Sequence, residues 1–263
     1  MSRLTTQDFR LTLFCQSDDQ RATGPKRPDA KLDPSEVVTR ALLWGINGVG
    51  TRAFSRWWLR DDQACFPQLA ERPRLCRLFK PPTAWTAPLL AAPTGLGGAD
   101  RAGSACIPPL RDGRRPHQRG QQGPSHQRWS GGGKRCLGLN QWGVVWAWDG
   151  ATANVHDAPF HPLRAQCVDP MMVLTDTGCQ AKTGAPAHMP VCQRGRWTGR
   201  MGVETIFSLW TTVFAGKKVR QRVWAYVHAR MAWTMAAFNL WAQWGLEVDA
   251  SNFLHLARAE CSL

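Results

Sequence analysis

The chain is poor in acid, nearly devoid of tyrosine, and without any long hydrophobic run. Only 19 of its 263 residues are Asp or Glu against 33 Lys and Arg, a formal net charge of +14. Such an imbalance disfavours cationic partners and favours a polyanion, most often nucleic acid, through release of condensed counterions. No stretch of 18 apolar residues occurs; the most hydrophobic, 203–216, is short and runs into Lys217-Lys218. A membrane-spanning helix is therefore not expected. The opening MSRLTTQDFR lacks the apolar core of a secretory signal. The nine cysteines include no C-x-x-C pair and no zinc-finger spacing, so reduced thiols and a cytoplasmic setting are expected. What the chain does hold is unusual: one Tyr beside 14 Trp, with 18 Pro and 24 Gly that cluster rather than scatter. Its length suffices for one large domain or two smaller ones.

Residues 1–34 are polar and Pro-containing and read as a weakly ordered arm, with a compact helical module over 35–92. In LDPSEVVTRALLWG, Asp33 or Ser35 suits a helix cap and Pro34 a first turn. Val37, Val38, Ala41 and Leu42 recur at helical spacing, and Gly45, Gly48 and Gly50 end the pattern. In TRAFSRWWLRDD, Arg52, Arg56 and Arg60 fall on one helical face, with Phe54, Trp57 and Trp58 turned away from it. A solvated basic face over a small core is the plainer reading of that pattern, a DNA-contacting helix the sharper one. ERPRLCRLF suggests a third helix.

Residues 93–135 carry eight basic side chains, Arg114 and Arg115 among them, and two acidic ones, Asp100 and Asp112. Apart from Ala105-Cys106-Ile107 the stretch holds little strand material and reads as a basic loop. Order is expected again at CLGLNQWGVVWAWDG, a β-hairpin about Asn140-Gln141-Trp142-Gly143 that ends at Asp149-Gly150. Asp157 suits the cap of a helix through about Cys167. Met171–Leu174 then read as a buried strand that delivers Asp176 at its carboxyl end, followed by the turn at Gly178. A helix is expected over RMGVETIFSLWTTVFAG, with Arg200, Glu204 and Ser208 on one face and Val203, Ile206, Phe207 and Trp210 on the buried side. KKVRQR follows, and a long helix from about Lys218 to Gly245 carries Val219, Val223, Tyr226, Arg230, Trp233, Ala237, Leu240 and Trp244 at steps of three and four.

Carboxylates on strands and helices can hold divalent cations, and two ions about 3.5–4 Å apart support in-line phosphoryl displacement. Spacing alone does not select a set among 19 acids. The blocks LDPSEVVTRALLWGINGVGTRAFSRWW, ERPRLCRLF, NQWGVVWAWDGATANVHDAPFHPL, VLTDTGCQAK, RMGVETIFSLWT and KKVRQRVWAYVHARMAWTMAAFNLWAQW resemble bacterial insertion-sequence transposases of the DDE type. The resemblance covers most of 32–263. It implies an α/β, RNase H-like catalytic domain over 93–263: a mixed sheet flanked by helices, behind the small helical N-terminal module. It places the family's first-strand carboxylate on Asp100, its D-x-G carboxylate on Asp176 and its R-x-x-x-E carboxylate on Glu204. It further implies two Mg²⁺ (or Mn²⁺) ions on these three, double-stranded DNA as partner and substrate, and a homodimer on DNA in the bacterial cytoplasm. Arg200, Lys217, Lys218, Arg220, Arg222, Arg114 and Arg115 would face phosphate. The stretch around Asp100 departs from the family: Gly97, Gly98, Gly103, Pro108 and Pro109 are poor strand formers, and Arg101 stands where a small or apolar residue is expected. Cys179 stands where an aromatic residue is usual. A DNA-binding remnant without catalysis and a plain RNase H-like nuclease stay open as alternatives.

Overall fold

A computed structural model of the chain describes residues 6–19, 30–61, 63, 66–68, 70–80, 86, 89, 99–107, 123–125, 128–130, 133–140, 142–152, 155, 198–212, 214, 221 and 223–248. Its elements in chain order are helices α1 (Thr6–Asp19), α2 (Pro34–Asn47), α3 (Thr51–Asp61) and α4 (Arg72–Phe79), then strands β1 (Ala99–Ile107), β2 (Gly123–Ser125), β3 (Arg128–Ser130), β4 (Gly133–Asn140) and β5 (Val145–Thr152). Helices α5 (Thr198–Thr212) and α6 (Trp224–Val248) follow. Helices and antiparallel sheet thus share the chain, in two compact units. One holds α1–α4 with nearly all of α6; the other holds the five strands and α5. The long C-terminal helix, expected with the catalytic domain, packs instead with the N-terminal helices.

The helical unit is built around α2. Asp33 caps it by accepting from the Ser35 amide at 2.9 Å, while the Glu36 carboxylate accepts from the Asp33 amide at 3.2 Å. This reciprocal box satisfies donors that a helix start leaves orphaned, and Pro34 loses nothing at a position with no amide partner. Gly48, at φ 64°, closes the other end in the left-handed conformation that glycine enters without steric cost. Gly45 does not end the helix; it lies inside the last turn, where α6 crosses. Leu42, Leu43 and Trp44 are buried, each worth about 1.5–3 kcal/mol of transfer free energy.

Helix α6 secures the C-terminal ends of two neighbours with consecutive residues. The Trp233 indole Nε1 donates to the carbonyl of Phe79, the last residue of α4, at 3.0 Å. The Thr234 hydroxyl lies 3.1 Å from the carbonyl of Gly45 and 2.8 Å from that of Arg230. Helix ends run out of intrahelical donors for their last carbonyls, so these two side chains replace missing partners. Every residue from Ala229 to Ala242 is buried. Over this stretch the helix is buried on every face and not only along the expected series of Arg230, Trp233, Ala237 and Leu240, as an interior helix must be. Val223, expected within the helix, precedes it and is 40% exposed.

Two further expectations are corrected. Residues 1–34 hold α1, a 14-residue helix, rather than an arm without regular structure. Its hold is tertiary: Leu13 and Ser17 are buried, Arg10 stacks on Trp57 at 5.0 Å, Phe14 meets Phe66 at 5.8 Å, and the Asp18 carboxylate accepts from the Ser35 hydroxyl. The stretch 93–135, expected as loop, contains β1, β2, β3 and the start of β4. Backbone pairing explains this, because ladder hydrogen bonds need no particular side chain and β1 pairs with β4 along its length.

In the sheet unit the antiparallel order is β1-β4-β5, with β2 and β3 forming a separate two-stranded ribbon. The β4–β5 hairpin turns where the sequence places it. The buried Asn140 side-chain oxygen accepts from the amides of Trp142 (3.1 Å) and Val144 (2.9 Å), and Gly143 adopts φ 79°. β5 continues through Asp149 and Gly150 to Thr152, since Cys136 and Arg135 of β4 pair with those two residues. The expected helix after Asp157 and the strand at 171–175 lie outside the described residues.

Candidate metal and nucleic-acid site

The position of Asp100 is set by strand register. Ala99 pairs with Asn140 and Arg101 with Leu139, so consecutive β4 residues face β1 residues two apart. Asp100 is therefore the extra residue of a β-bulge. Bulges bend a strand and re-aim a side chain, and they recur beside active sites. A second bulge sits across the sheet. Gly138 pairs with Ala147 and Leu139 with Val145, leaving Trp146 between them. A Cβ on Gly138 would lie 2.5 Å from the Trp146 ring, so only glycine leaves room for the indole there.

Glu204 lies on α5, and α5 packs against β1. The helix is amphipathic: Ile206 and Trp210 are buried as their spacing predicts, Leu209 is buried in addition and Phe207 only half-buried, while Glu204, Thr205 and Ser208 are exposed. Two contacts beyond β1 hold it. The Arg135 guanidinium of β4 stacks on Trp210 with its carbon 3.2 Å from the ring centroid, and both residues are buried. Gly143 at the hairpin turn lies against Ile206, its would-be Cβ 3.5 Å from the Ile206 Cδ1. Strand, guanidinium and turn together fix the helix, and with it the backbone that carries Glu204. A buried arginine on a flat indole gains both packing and a cation–π attraction, since its weakly hydrated plane stacks where an ammonium would not.

The carriers of two expected carboxylates are thus neighbours, Asp100 on β1 and Glu204 on α5. Asp176 lies outside the described residues, as do Lys217, Lys218, Arg220, Arg222, Arg114 and Arg115. The backbone of Arg200 falls in the first turn of α5. Among the described residues no group of three His, Cys, Asp or Glu is placed to hold a metal ion. A ligand set of the expected kind requires Asp176 as its third member. The donor chemistry of Asp100 and Glu204, hard carboxylate oxygens from two packed elements, suits Mg²⁺, which takes few protein ligands and keeps water or phosphate oxygens for the rest. Sequence reasoning missed the bulge at Asp100 and the Arg135–Trp210 stack. Both depend on register across strands that are distant in sequence, and no local pattern carries that information.

No helix among the described residues is long and apolar enough to cross a membrane. Comparison with protein-family models, curated proteins and solved structures gives no match. The resemblance to DDE transposases stands on the sequence blocks alone.

Proposed function

We propose that this chain is a DDE-type DNA transposase that cleaves the ends of a mobile element and joins the freed 3′-hydroxyl to target DNA. The observation that carries the reading is the packing of the Glu204 helix on the bulged strand that carries Asp100. In an RNase H-like arrangement the second carboxylate would arrive from a strand beside β1. Among the described residues β1 pairs along one edge only, with β4. The reading requires that 171–175 pair with that other edge in a direction and register that bring Asp176 to Asp100.

Asp100, Asp176 and Glu204 would hold two divalent ions, whose chemistry is to activate the attacking oxygen and stabilise the leaving one. The protein's own part is positional. The bulge sets Asp100 off the regular ladder, the Arg135–Trp210 stack keeps α5 from shifting, and the basic residues Arg200, Lys217, Lys218, Arg220 and Arg222 neutralise the DNA backbone. The net charge of +14 suits that substrate.

The test is incubation of the full chain and Mg²⁺ with a supercoiled plasmid carrying this reading frame and its flanking DNA. Cleavage at the flanks with a joined product, both lost in Asp176→Ala while DNA binding persists, is the expected result. Hydrolysis without any joined product would replace the reading with a nuclease. Binding without cleavage by the unaltered protein would replace it with a DNA-binding remnant.

A further inference from the structure

Most residues that the family resemblance assigns to phosphate fall outside the described residues, and the strongest described basic surface lies elsewhere, in the helical unit. Arg52, Arg56 and Arg60 are exposed along α3, while Phe54 and Trp58 on its other side are buried. The neighbouring α4 exposes Arg72, Arg74 and Arg77, followed by Lys80, over buried Leu75 and Phe79. Glu71 is the one exposed acid within α3, α4 and the residues flanking α4 whose side chains are described. Both helices are anchored by aromatic packing: Phe54 lies 5.9 Å from Trp58 and 6.3 Å from Phe79. The cations therefore project from a rigid base.

We infer that the exposed arginine faces of α3 and α4 form a grip for the phosphate backbone of duplex DNA that does not read sequence. Successive arginines four residues apart rise about 6 Å along the helix, so Arg52 to Arg60 span about 12 Å. Duplex DNA presents one negative charge per about 1.7 Å of its axis, roughly seven over that span. Guanidinium forks suit phosphate oxygens in two-point contacts. The faces are also chemically uniform. The described exposed polar side chains of α3 and α4 are arginines, with no Asn or Gln among them to pair with adenine edges. Arginine can also fork onto guanine O6 and N7. Rows of guanidinium groups along exposed helix faces nevertheless meet phosphates whatever the sequence, so the surface would hold target DNA or element ends alike. A loss confined to one duplex is the signature of guanine readout. This grip uses the proposed DNA partner but none of the three carboxylates, so it can fail while strand transfer stands.

The experiment measures binding of the full chain to two duplexes, one from the flanking DNA and one of unrelated sequence, across a salt series. Arg52→Ala/Arg56→Ala and Arg74→Ala/Arg77→Ala are compared with the lysine versions of both pairs, and each variant's fold is checked by its melting temperature. Each alanine pair should lower the slope of log affinity against log salt by about 1.8, equally for both duplexes, at about 0.9 for each phosphate no longer neutralised. The lysine pairs should keep the slope, because charge is retained. Unchanged slopes in the alanine variants would overturn the inference. So would a loss confined to the flanking duplex, which would mean base readout, or a loss seen with double-stranded RNA alone. Plasmid cleavage and joining, assayed in parallel, report separately on the transposase reading.

Discussion

The Thr234 hydroxyl of α6 sits 3.1 Å from the carbonyl oxygen of Gly45 in the last turn of α2. At the same crossing, a Cβ on Gly45 would lie 2.9 Å from the Thr234 backbone nitrogen and 3.0 Å from the Trp233 carbonyl carbon. Glycine and threonine act together here. One removes the atom that would hold the helices apart. The other brings a hydroxyl, whose single proton is shared with the Arg230 carbonyl at 2.8 Å, to the carbonyl their approach buries.

Gly45→Ala is expected to destabilise the chain although alanine is the better helix former. The intrinsic preference favours alanine by about 1 kcal/mol. Backbone atoms of α6 cannot swing aside as a side chain would, and overpacking costs about 1–3 kcal/mol. Chemical denaturation should show a lower midpoint at unchanged slope. A variant as stable as the parent would mean that the helices cross less closely.

Trp233→Phe and Trp58→Phe form a matched pair, because both indoles are fully buried. Trp233 donates to the Phe79 carbonyl, whereas Trp58 Nε1 has no hydrogen-bond partner among the described residues. Both variants lose similar volume. The excess cost at Trp233 should be about 1–2 kcal/mol, the lost hydrogen bond and the stranded carbonyl. Trp58 also carries the Arg40 guanidinium at 4.9 Å, a stack worth about 0.5–2 kcal/mol that a Phe ring keeps in part. A loss at Trp233 smaller than that at Trp58 in urea titration would therefore show that the bond contributes nothing.

At the hairpin, Asn140→Ala strips acceptors from the Trp142 and Val144 amides and should cost about 1–3 kcal/mol. Gly143→Ala meets no steric obstacle nearer than ordinary contact with Ile206, so its penalty is conformational, about 1–2 kcal/mol at φ 79°. Gly143→Asn should recover part of it, since asparagine tolerates that region. Amide exchange at Val144 reads both effects, and no loss of protection in Asn140→Ala would refute the first.

Removal of divalent metal by a chelator should abolish cleavage and leave DNA binding within a factor of about two. Asp100→Asn and Glu204→Gln should each slow cleavage by about 10²–10³, equivalent to several kcal/mol of lost transition-state stabilisation. Cleavage at the parental rate in either variant would remove that carboxylate from the ligand set. The melting temperature of each variant separates a loss of metal ligation from a loss of folding.

Charge alone separates two kinds of arginine poorly. Arg40 and Arg135 look like surface residues in the sequence, yet both are buried. Arg40 stacks over Trp58 at 4.9 Å and Phe66 at 5.9 Å and donates to the Gln68 carbonyl, while Arg135 covers Trp210. Arg52 and Arg56, by contrast, occupy the exposed face their spacing predicts. The difference lies in whether an aromatic plane from another element meets the guanidinium.

Local chemistry by itself determined the start and stop of α2, the amphipathic faces of α3 and α5, and the turn at Asn140–Gly143. Each depends on residues within a few positions of one another: Asp33 with Glu36, Arg52 with Arg56, Asn140 with Gly143. The strand character of 99–107, the bulge at Asp100, the helix at Thr6–Asp19 and the enclosure of α6 were decided only by tertiary structure. Their stabilising partners come from remote parts of the chain, and backbone pairing or burial supplied from a distance overrides what a glycine-rich or polar stretch would do alone.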